Sequence, residues 1–352
     1  MTTTQSELRG TTEVSHPSPS FPPPIRQLPV QTHPGKPALL PIQATGRAAD
    51  WIAAHQDALR HLVLSHGGLL VRGLGLRSPA EVGDVFRAYS NGRLLLERES
   101  FAPRTVVQPG VFTSTKWPSN QQMCMHHEQS YTTDFPGTMM FACLTAPAAG
   151  GATAVADSTA VLNALPRDLL ARFEREGWML VRNYNDEIGS SYAEAFGTAD
   201  RAAVEHYCRA NGIEFEWQPG DGLRTRQRRF AIARHPVTGN FSWFNQVAFL
   251  NEWTLEPEVR EFLVDTYGSD GLPFNTRFGH GDPIGPEIVQ LLNSVYEAHT
   301  RREPWQAGDL MLVDNIRSAH AREPYEGPRE VLVGMTDPVN IAACAPNAGG
   351  QQ

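Results

Sequence analysis

Short apolar runs separated by glycine and proline fill the middle and the C-terminal part of the chain. They read TMMFACLTA (138–146), ATAVADS (152–158), GWMLVRNY (177–184), DLMLVDN (309–315) and REVLVGMT (329–336). Apolar runs of this length, bounded by turn residues, are typical of strands rather than of helices. The sequence therefore predicts a β core.

Helical patterns lie before this core and inside it. Apolar residues recur at helical spacing in AADWIAAHQDALRHLVLSHG (48–67). SPAEVGDVFRAYS (78–90) is predicted as a second helix, because Ser78 can cap it and Glu81 follows three residues later. Two amphipathic stretches between about residues 159 and 212, TAVLNALPRDLLARFEREG and TADRAAVEHYCRANG, predict a helical insertion into the β core.

Composition predicts the domain boundaries. Residues 1–35 are rich in proline, serine and threonine; such a segment buries little surface, so we expect a disordered or extended lead-in. Residues 36–345 are predicted to form one domain, since β-rich chains of this size often fold as one unit. Residues 346–352 are predicted to be a flexible tail.

Charge and hydropathy exclude several classes of function. The chain is acidic, with a net charge of -8, and has no basic block. Both features argue against binding to nucleic acid or to an anionic membrane. No run of about 18 apolar residues predicts a membrane helix, and the N-terminus lacks the pattern of a secretory signal. The four cysteines are scattered without a CxxC pair. We therefore expect a cytoplasmic protein without disulfides.

Two adjacent histidines followed by a glutamate stand in MCMHHEQSY (123–131). In a strand, residues i and i+2 point to the same face. His126 and Glu128 would then converge on one ion, while His127 would point away. We predict His126 and Glu128 as metal ligands and His127 as a packed residue.

A third ligand is expected from elsewhere, and the best candidate is His320 in DNIRSAHAREPYEGPRE. Two histidines and one carboxylate leave several coordination positions open, as in the facial triad of non-haem Fe(II) oxygenases. A structural zinc site would instead close all four positions.

Several motifs occur in one order between about residues 101 and 338. They are FTSTKWPSNQQMCMHHEQSY, FACLTAPAAGGATAVADS, PWQAGDLMLVDNIRSAHAREPYEGPRE and VLVGM. With them the chain resembles the taurine dioxygenase (TauD/TfdA-like) family of Fe(II)/2-oxoglutarate-dependent oxygenases, and within it the SyrP-like hydroxylases. The resemblance and the motif order imply a double-stranded β-helix, or jelly roll, with flanking helices and a helical insertion. His126, Glu128 and His320 match the iron ligands of the family.

The resemblance also implies a binding site for 2-oxoglutarate. Arg329 matches the arginine that holds the distal carboxylate, a task that suits its planar fork. Thr153 matches a hydroxyl donor to the same molecule. Gly150 and Gly151 would let the backbone turn close to the site.

Two departures from the family pattern bear on function. Some relatives carry a second arginine slightly further along the strand, whereas this chain has valine and leucine at 331–333. A single arginine must then hold the carboxylate. Halogenating relatives replace the carboxylate ligand by a small residue; the presence of Glu128 disfavours chlorination and favours oxygen insertion.

The implied reaction couples the decarboxylation of 2-oxoglutarate, with O2, to cleavage of an unactivated C–H bond. Hydroxylation is the first expectation, with desaturation or epoxidation as alternatives at the same centre. The expected substrate is an amino acid or an amino-acid-derived unit, free or attached to a carrier protein, in natural-product biosynthesis. The alternatives are a catabolic dioxygenase of the alkyl-sulfonate type and a non-redox, cupin-like metal-binding protein, which would not need Arg329 and Thr153.

Candidate substrate contacts come from two further segments. In a strand, Arg224, Arg226 and Arg228 of RTRQRRF would share one face. They are either a solvated surface or a rim that attracts an anionic substrate or an acidic carrier. Asn245 in WFNQ either lines the substrate pocket or satisfies buried backbone groups.

Overall fold

A computed structural model describes residues 28–96, Glu99 and residues 104–346. Most of the predicted lead-in and of the predicted tail lies outside these residues. Gln31, which was predicted to belong to the lead-in, exchanges two backbone hydrogen bonds of 2.8 and 2.9 Å with Leu39. The folded unit therefore begins before the predicted boundary at residue 36.

Eight α-helices lie in the described part of the chain. They are α1 (Ala48–His66), α2 (Pro79–Ser90), α3 (Ser158–Ala164), α4 (Arg167–Glu176), α5 (Tyr192–Phe196), α6 (Arg201–Ala210), α7 (Pro257–Tyr267) and α8 (Pro286–Ala298). Helices α1 and α2 match the predicted segments, and the amide of Glu81 donates a hydrogen bond of 3.3 Å to Ser78 Oγ. This is the predicted N-cap. No helix among the described residues is long and apolar enough to cross a bilayer.

Nineteen strands lie in the same part of the chain. They are β1 (Ala38–Pro41), β2 (Gly68–Arg72), β3 (Val106–Gln108), β4 (Val111–Thr113), β5 (Met123–His126), β6 (Asp134–Thr145), β7 (Ala149–Gly150), β8 (Thr153–Asp157), β9 (Trp178–Tyr184), β10 (Ile213–Trp217), β11 (Leu223–Arg229), β12 (Ile232–Arg234), β13 (Phe241–Trp243), β14 (Phe274–Phe278), β15 (Thr300–Arg301), β16 (Leu310–Asp314), β17 (Ser318–Arg322), β18 (Tyr325–Glu326) and β19 (Glu330–Asn340).

Two sheets form the core around the site. The larger has the strand order β1-β2-β16-β6-β19-β4-β3 and the smaller the order β15-β8-β17-β5. Val155 of the smaller sheet packs in one apolar cluster with Phe141 and Val333 of the larger sheet. Helices α1 and α2 share a second cluster with β2, through residues such as Leu59 and Leu69. The chain therefore has the predicted β core with helices packed on it.

The segment predicted as a helical insertion, about 159–212, is not purely helical. It contains α3 to α6, but it also contains β9. This strand, which was predicted to belong to the β core, lies instead in a separate sheet with the order β10-β11-β9-β14. The single helix predicted over residues 159–177 is two helices, because Pro166 lies between them and cannot donate a helical backbone hydrogen bond.

Candidate active site

Three buried side chains converge between the two core sheets. His126, Glu128 and His320 each place one ligand atom within 4.8 Å of the other two. Glu128 Oε2 lies 4.0 Å from His126 Nε2 and 3.8 Å from His320 Nε2. These distances are too long for hydrogen bonds. They fit two atoms that each bind one ion at about 2.1 Å and so lie up to about 4.2 Å apart. The donor set therefore fits a metal ion.

The carboxylate ligand reaches this cluster in a way that strand alternation does not explain. Strand β5 ends at His126, and Glu128 lies in the turn beyond it. The amide of Glu128 donates a 2.8 Å hydrogen bond to Asn315 Oδ1, and Asn315 Nδ2 donates one of 2.9 Å to the carbonyl of Glu128. The predicted convergence of His126 and Glu128 is observed, but its cause is this clamp by Asn315.

The protonation states of the cluster suit metal binding. Burial, together with His320, lowers the pKa of His126 to about 3. Burial opposes ionisation of Glu128, yet the Arg104 guanidinium and the neighbouring histidines hold the pKa of this carboxyl below its usual range. At neutral pH the imidazole of His126 is neutral and the carboxylate ionised, as metal ligands need to be.

His127 lies outside the cluster and is fully buried. Its Nδ1 donates a 2.5 Å hydrogen bond to the carbonyl of Asn315, and its Nε2 lies 2.8 Å from the carbonyl oxygen of Trp243. Burial lowers its pKa to about 4. His127 is therefore a packed residue, as its position between the two ligands predicted.

A cavity beside the three ligands contains the predicted co-substrate residues. Thr153 and Arg329 line it together with His126 and His320. Thr153 comes from β8, whereas Arg329 directly precedes β19. The fold therefore brings the predicted metal ligands and the predicted 2-oxoglutarate residues to one place.

Arg329 is a partly buried cation that forms no ion pair with a described carboxylate. Its Nε donates a 3.0 Å hydrogen bond to the carbonyl of Gly151. Gly151 has a φ of +69°, and a Cβ there would lie 2.9 Å from Tyr325 Cβ, so this approach requires glycine. Burial, then the nearby Arg322, lowers the pKa of Arg329 to about 10. The guanidinium stays charged at neutral pH and would be stabilised by an anion.

Two further arginines line the same cavity. Arg322 donates hydrogen bonds to the carbonyls of Trp117 (3.0 Å), Pro118 (2.6 Å) and Gln121 (2.9 Å), so it holds the loop that precedes β5. Arg104 donates a 3.0 Å hydrogen bond to Glu128 Oε2. Arg104 was not predicted as a site residue, because no spacing or periodicity in the sequence links it to Glu128.

The predicted substrate residues do not line this cavity. Arg224, Arg226 and Arg228 share the more exposed face of β11, in the separate sheet. Arg224 Nε donates to Asn183 Oδ1 (2.8 Å) and Arg228 Nε donates to the carbonyl of Glu176 (2.7 Å). Their shared face is as predicted, whereas a contact with substrate stays a prediction.

Asn245 lies just beyond β13, which ends at Trp243. The side chain of Asn245 is buried; it donates to the carbonyl of Ala231 and accepts from the amide of Val247, both at 3.0 Å. Asn245 therefore satisfies buried backbone groups, which is the second of the two roles considered for it.

A family comparison decides the class of enzyme. The sequence model of the "Taurine catabolism dioxygenase TauD, TfdA family" matches residues 9–336. The chain belongs to the TauD/TfdA family. It is an Fe(II)- and 2-oxoglutarate-dependent dioxygenase, and the alternative of a non-redox, cupin-like protein is wrong.

Individual relatives agree with membership of the TauD/TfdA family. The dapdiamide synthesis protein DdaC of Enterobacter agglomerans is 33% identical over 277 residues, which cover 79% of this chain and 84% of that protein. A clavaminate synthase-like protein of Arabidopsis thaliana is 27% identical over 333 residues, 92% of each chain. The fold is similar to a taurine dioxygenase structure from Burkholderia xenovorans, with a TM-score of 0.52, 14% identity and coverage of 91% of this chain and 93% of that one. The SyrP-like subgroup stays a prediction.

Proposed function

We propose that this dioxygenase hydroxylates an unactivated C–H bond of an amino acid or amino-acid-derived unit in natural-product biosynthesis. One observation carries the proposal: the buried cluster of His126, Glu128 and His320 shares a cavity with Arg329. A metal centre with open positions and a partly buried cation beside it match a reaction that consumes a dicarboxylate.

In the proposed site, His126, Glu128 and His320 hold the iron. Arg329 binds the distal carboxylate of 2-oxoglutarate, since its fork suits a bidentate carboxylate and no described carboxylate pairs with it. The hydroxyl of Thr153, which faces the same cavity, donates to that carboxylate. Iron with bound 2-oxoglutarate supplies the activation of O2 and the oxidising power for C–H cleavage, with succinate and CO2 released.

The chain's own residues prepare this chemistry. The neutral imidazole of His126 and the ionised Glu128 offer lone pairs without a competing proton. Phe141, Val331 and Val333 form an apolar part of the cavity wall, which limits the access of water to the reacting centre. Because Glu128 occupies the place of the carboxylate ligand, oxygen rather than halide enters the product.

The two facing core sheets correspond to the jelly roll, or double-stranded β-helix, of a single oxygenase domain. The antiparallel pairings of β17 with β5 and β8, and of β6 with β16 and β19, support this assignment. The proposed domain includes Gln31, which pairs with Leu39, and acts in the cytoplasm.

A biosynthetic role is supported by the names of the relatives. DdaC is named for the synthesis of dapdiamide, and the plant relative is named as clavaminate synthase-like. The substrate is either free or attached to a carrier protein, and a direct comparison of the two forms decides between them.

Oxygen uptake and succinate release, measured with Fe(II), 2-oxoglutarate and a panel of candidate substrates, test the proposal. The panel pairs each amino acid with its carrier-bound form and includes alkyl sulfonates. We expect substrate-dependent succinate and a product heavier by one oxygen atom from an amino-acid-derived compound, with neither from His320→Ala. Turnover of an alkyl sulfonate alone would support the catabolic alternative instead.

A further inference from the structure

Arg104 forms a buried ion pair with the carboxylate that the proposed function assigns to iron. Arg104 Nη2 lies 3.0 Å from Glu128 Oε2, and the two side chains are 8% and 9% exposed. The same oxygen is the one that faces His126 Nε2 and His320 Nε2. One carboxylate oxygen therefore faces both imidazoles and the guanidinium.

A second contact fixes the plane of the guanidinium. Arg104 Nε donates a 3.0 Å hydrogen bond to Thr115 Oγ1. Arg104 lies just before β3 and Thr115 just after β4, and these two strands pair with each other. The ends of this hairpin are joined by a further hydrogen bond, 2.9 Å long, from the amide of Thr113 to the carbonyl of Thr105. Arg104 therefore reaches Glu128 from the open end of the β3–β4 hairpin, which lies at the edge of the larger sheet.

Glu128 depends on such a contact because it lies beyond the end of β5. Asn315 clamps its backbone on both sides but does not touch its carboxylate. Among the described residues, Arg104 is the one arginine or lysine that forms an ion pair with Glu128. The direction of the carboxylate is therefore set by Arg104.

We infer that Arg104 is a positioning residue that holds Glu128 Oε2 toward the two histidines and so prepares the iron site before the metal binds. The inference rests on the proposed function, since it takes Glu128 as an iron ligand. Groups that orient metal ligands in this way typically contribute a factor of about 10–100 to metal affinity or activity.

The first test is anaerobic titration of Fe(II) into Arg104→Gln, followed by 2-oxoglutarate. We expect Fe(II) affinity to fall by about 10–100-fold. We also expect the visible charge-transfer band of the Fe(II)–2-oxoglutarate complex to move to longer wavelength, because an unshared carboxylate donates more charge to the metal. Arg104→Lys keeps the charge but cannot reach both Thr115 and Glu128. The Fe(II) affinity of this variant should therefore lie between those of Arg104→Gln and the unchanged protein.

Arg72→Gln is the matched control. Arg72 forms a 2.9 Å ion pair with the buried carboxylate of Asp309, but neither residue lines the cavity. Its loss should leave Fe(II) affinity and the absorption band near those of the unchanged protein. Should Arg104→Gln fold poorly, Thr115→Val removes only the support of Arg104 and should weaken Fe(II) binding in the same direction.

Rescue by a small anion gives a second, independent readout. In Glu128→Ala the guanidinium of Arg104 is left next to an empty ligand position. Added formate should occupy that position between Arg104 and the imidazoles and restore Fe(II) binding. In Glu128→Ala combined with Arg104→Gln, formate should restore little, because the cation that holds it is gone.

Two results would overturn the inference. One is unchanged Fe(II) affinity in Arg104→Gln with a raised requirement for 2-oxoglutarate or substrate, which would make Arg104 a ligand-binding residue. The other is equal formate rescue with and without Arg104. The proposed function itself fails on a different result, namely that His320→Ala still binds Fe(II) like the unchanged protein.

Discussion

His126 and His320 are directly opposed residues on the neighbouring antiparallel strands β5 and β17, with ring centroids 4.4 Å apart. Opposed residues carry their side chains on the same face of a sheet, with Cβ atoms about 4.5–5.5 Å apart. The register of one strand pair therefore brings together two imidazoles that lie far apart in the sequence. The position of the third proposed ligand, Glu128, depends instead on contacts outside the strands.

Replacing each proposed ligand tests this geometry. We expect His126→Ala, Glu128→Ala and His320→Ala each to lose bound iron, measured as metal per folded chain. His127→Ala should keep its iron and lose stability, by about 1–3 kcal/mol, because it leaves buried partners without their hydrogen bonds. Loss of iron from His127→Ala with retention in His126→Ala would show that the assignment of the adjacent histidines is inverted.

Arg329→Ala should raise the 2-oxoglutarate concentration needed for half-maximal activity by tenfold or more, with iron still bound. Removing one partner of a buried charged pair costs about 2–5 kcal/mol. Arg329→Lys, which keeps the charge but not the fork, should fall between Arg329→Ala and the unchanged protein. If Arg329→Ala needs no more 2-oxoglutarate than the unchanged protein, another residue binds the distal carboxylate, and Arg322 is the first to examine.

Chloride should not enter the product. In the proposed site Glu128 occupies the ligand position that a halide would need, so turnover in chloride buffer should give the oxygenated compound alone. Mass spectrometry of the product measures this directly. A chlorinated product from the unmodified protein would contradict the assignment of oxygen insertion.

Asn315→Ala should destabilise the protein and weaken iron binding together. Its side chain accepts a hydrogen bond from the amide of Glu128 and donates to the carbonyls of Glu128 and Pro136. Each buried group left unsatisfied costs about 1–3 kcal/mol, so the midpoint of urea unfolding should fall clearly. Asn293→Ala, on helix α8 and away from the ligands, is the control. Equal midpoints for the two variants would mean that the clamp is not important for folding.

The arginines of β11 are now candidates for contact with a carrier rather than with the substrate itself. Arg226 and Arg228 lie on the more exposed face of that strand and do not line the cavity. Reversing both, as Arg226→Glu with Arg228→Glu, should slow turnover of a substrate on an acidic carrier protein, mainly at low salt. Turnover of the same substrate in free form should not change. If the carrier-bound form is also unaffected, the face is simply solvated.

Local elements of the fold could be predicted from the sequence because their causes are local. Helix α2 begins where Ser78 can cap the amide of Glu81, and α1 ends where Gly67 follows its last turn. The core strands β6, β8, β16 and β19 appear as short apolar runs. Two histidines and a glutamate predicted a metal centre, and the resemblance to the TauD/TfdA family implied the rest of its chemistry.

Other predictions failed where the cause was not local. The insertion includes β9, whose partners β11 and β14 lie further along the chain. The hydrogen-bond partners of Asn245, Arg224 and Arg228 likewise lie elsewhere in the chain, so no local pattern could indicate them.

The sequence by itself determined which residue types would bind the metal and the co-substrate, and in which order they follow along the chain. Only the tertiary structure decided the orientation of Glu128. Asn315 contacts it from the loop between β16 and β17, and Arg104 contacts it from the end of the β3–β4 hairpin. Spacing along a chain specifies contacts between residues a few positions apart. Contacts between distant segments depend on how whole sheets pack, which no short pattern records.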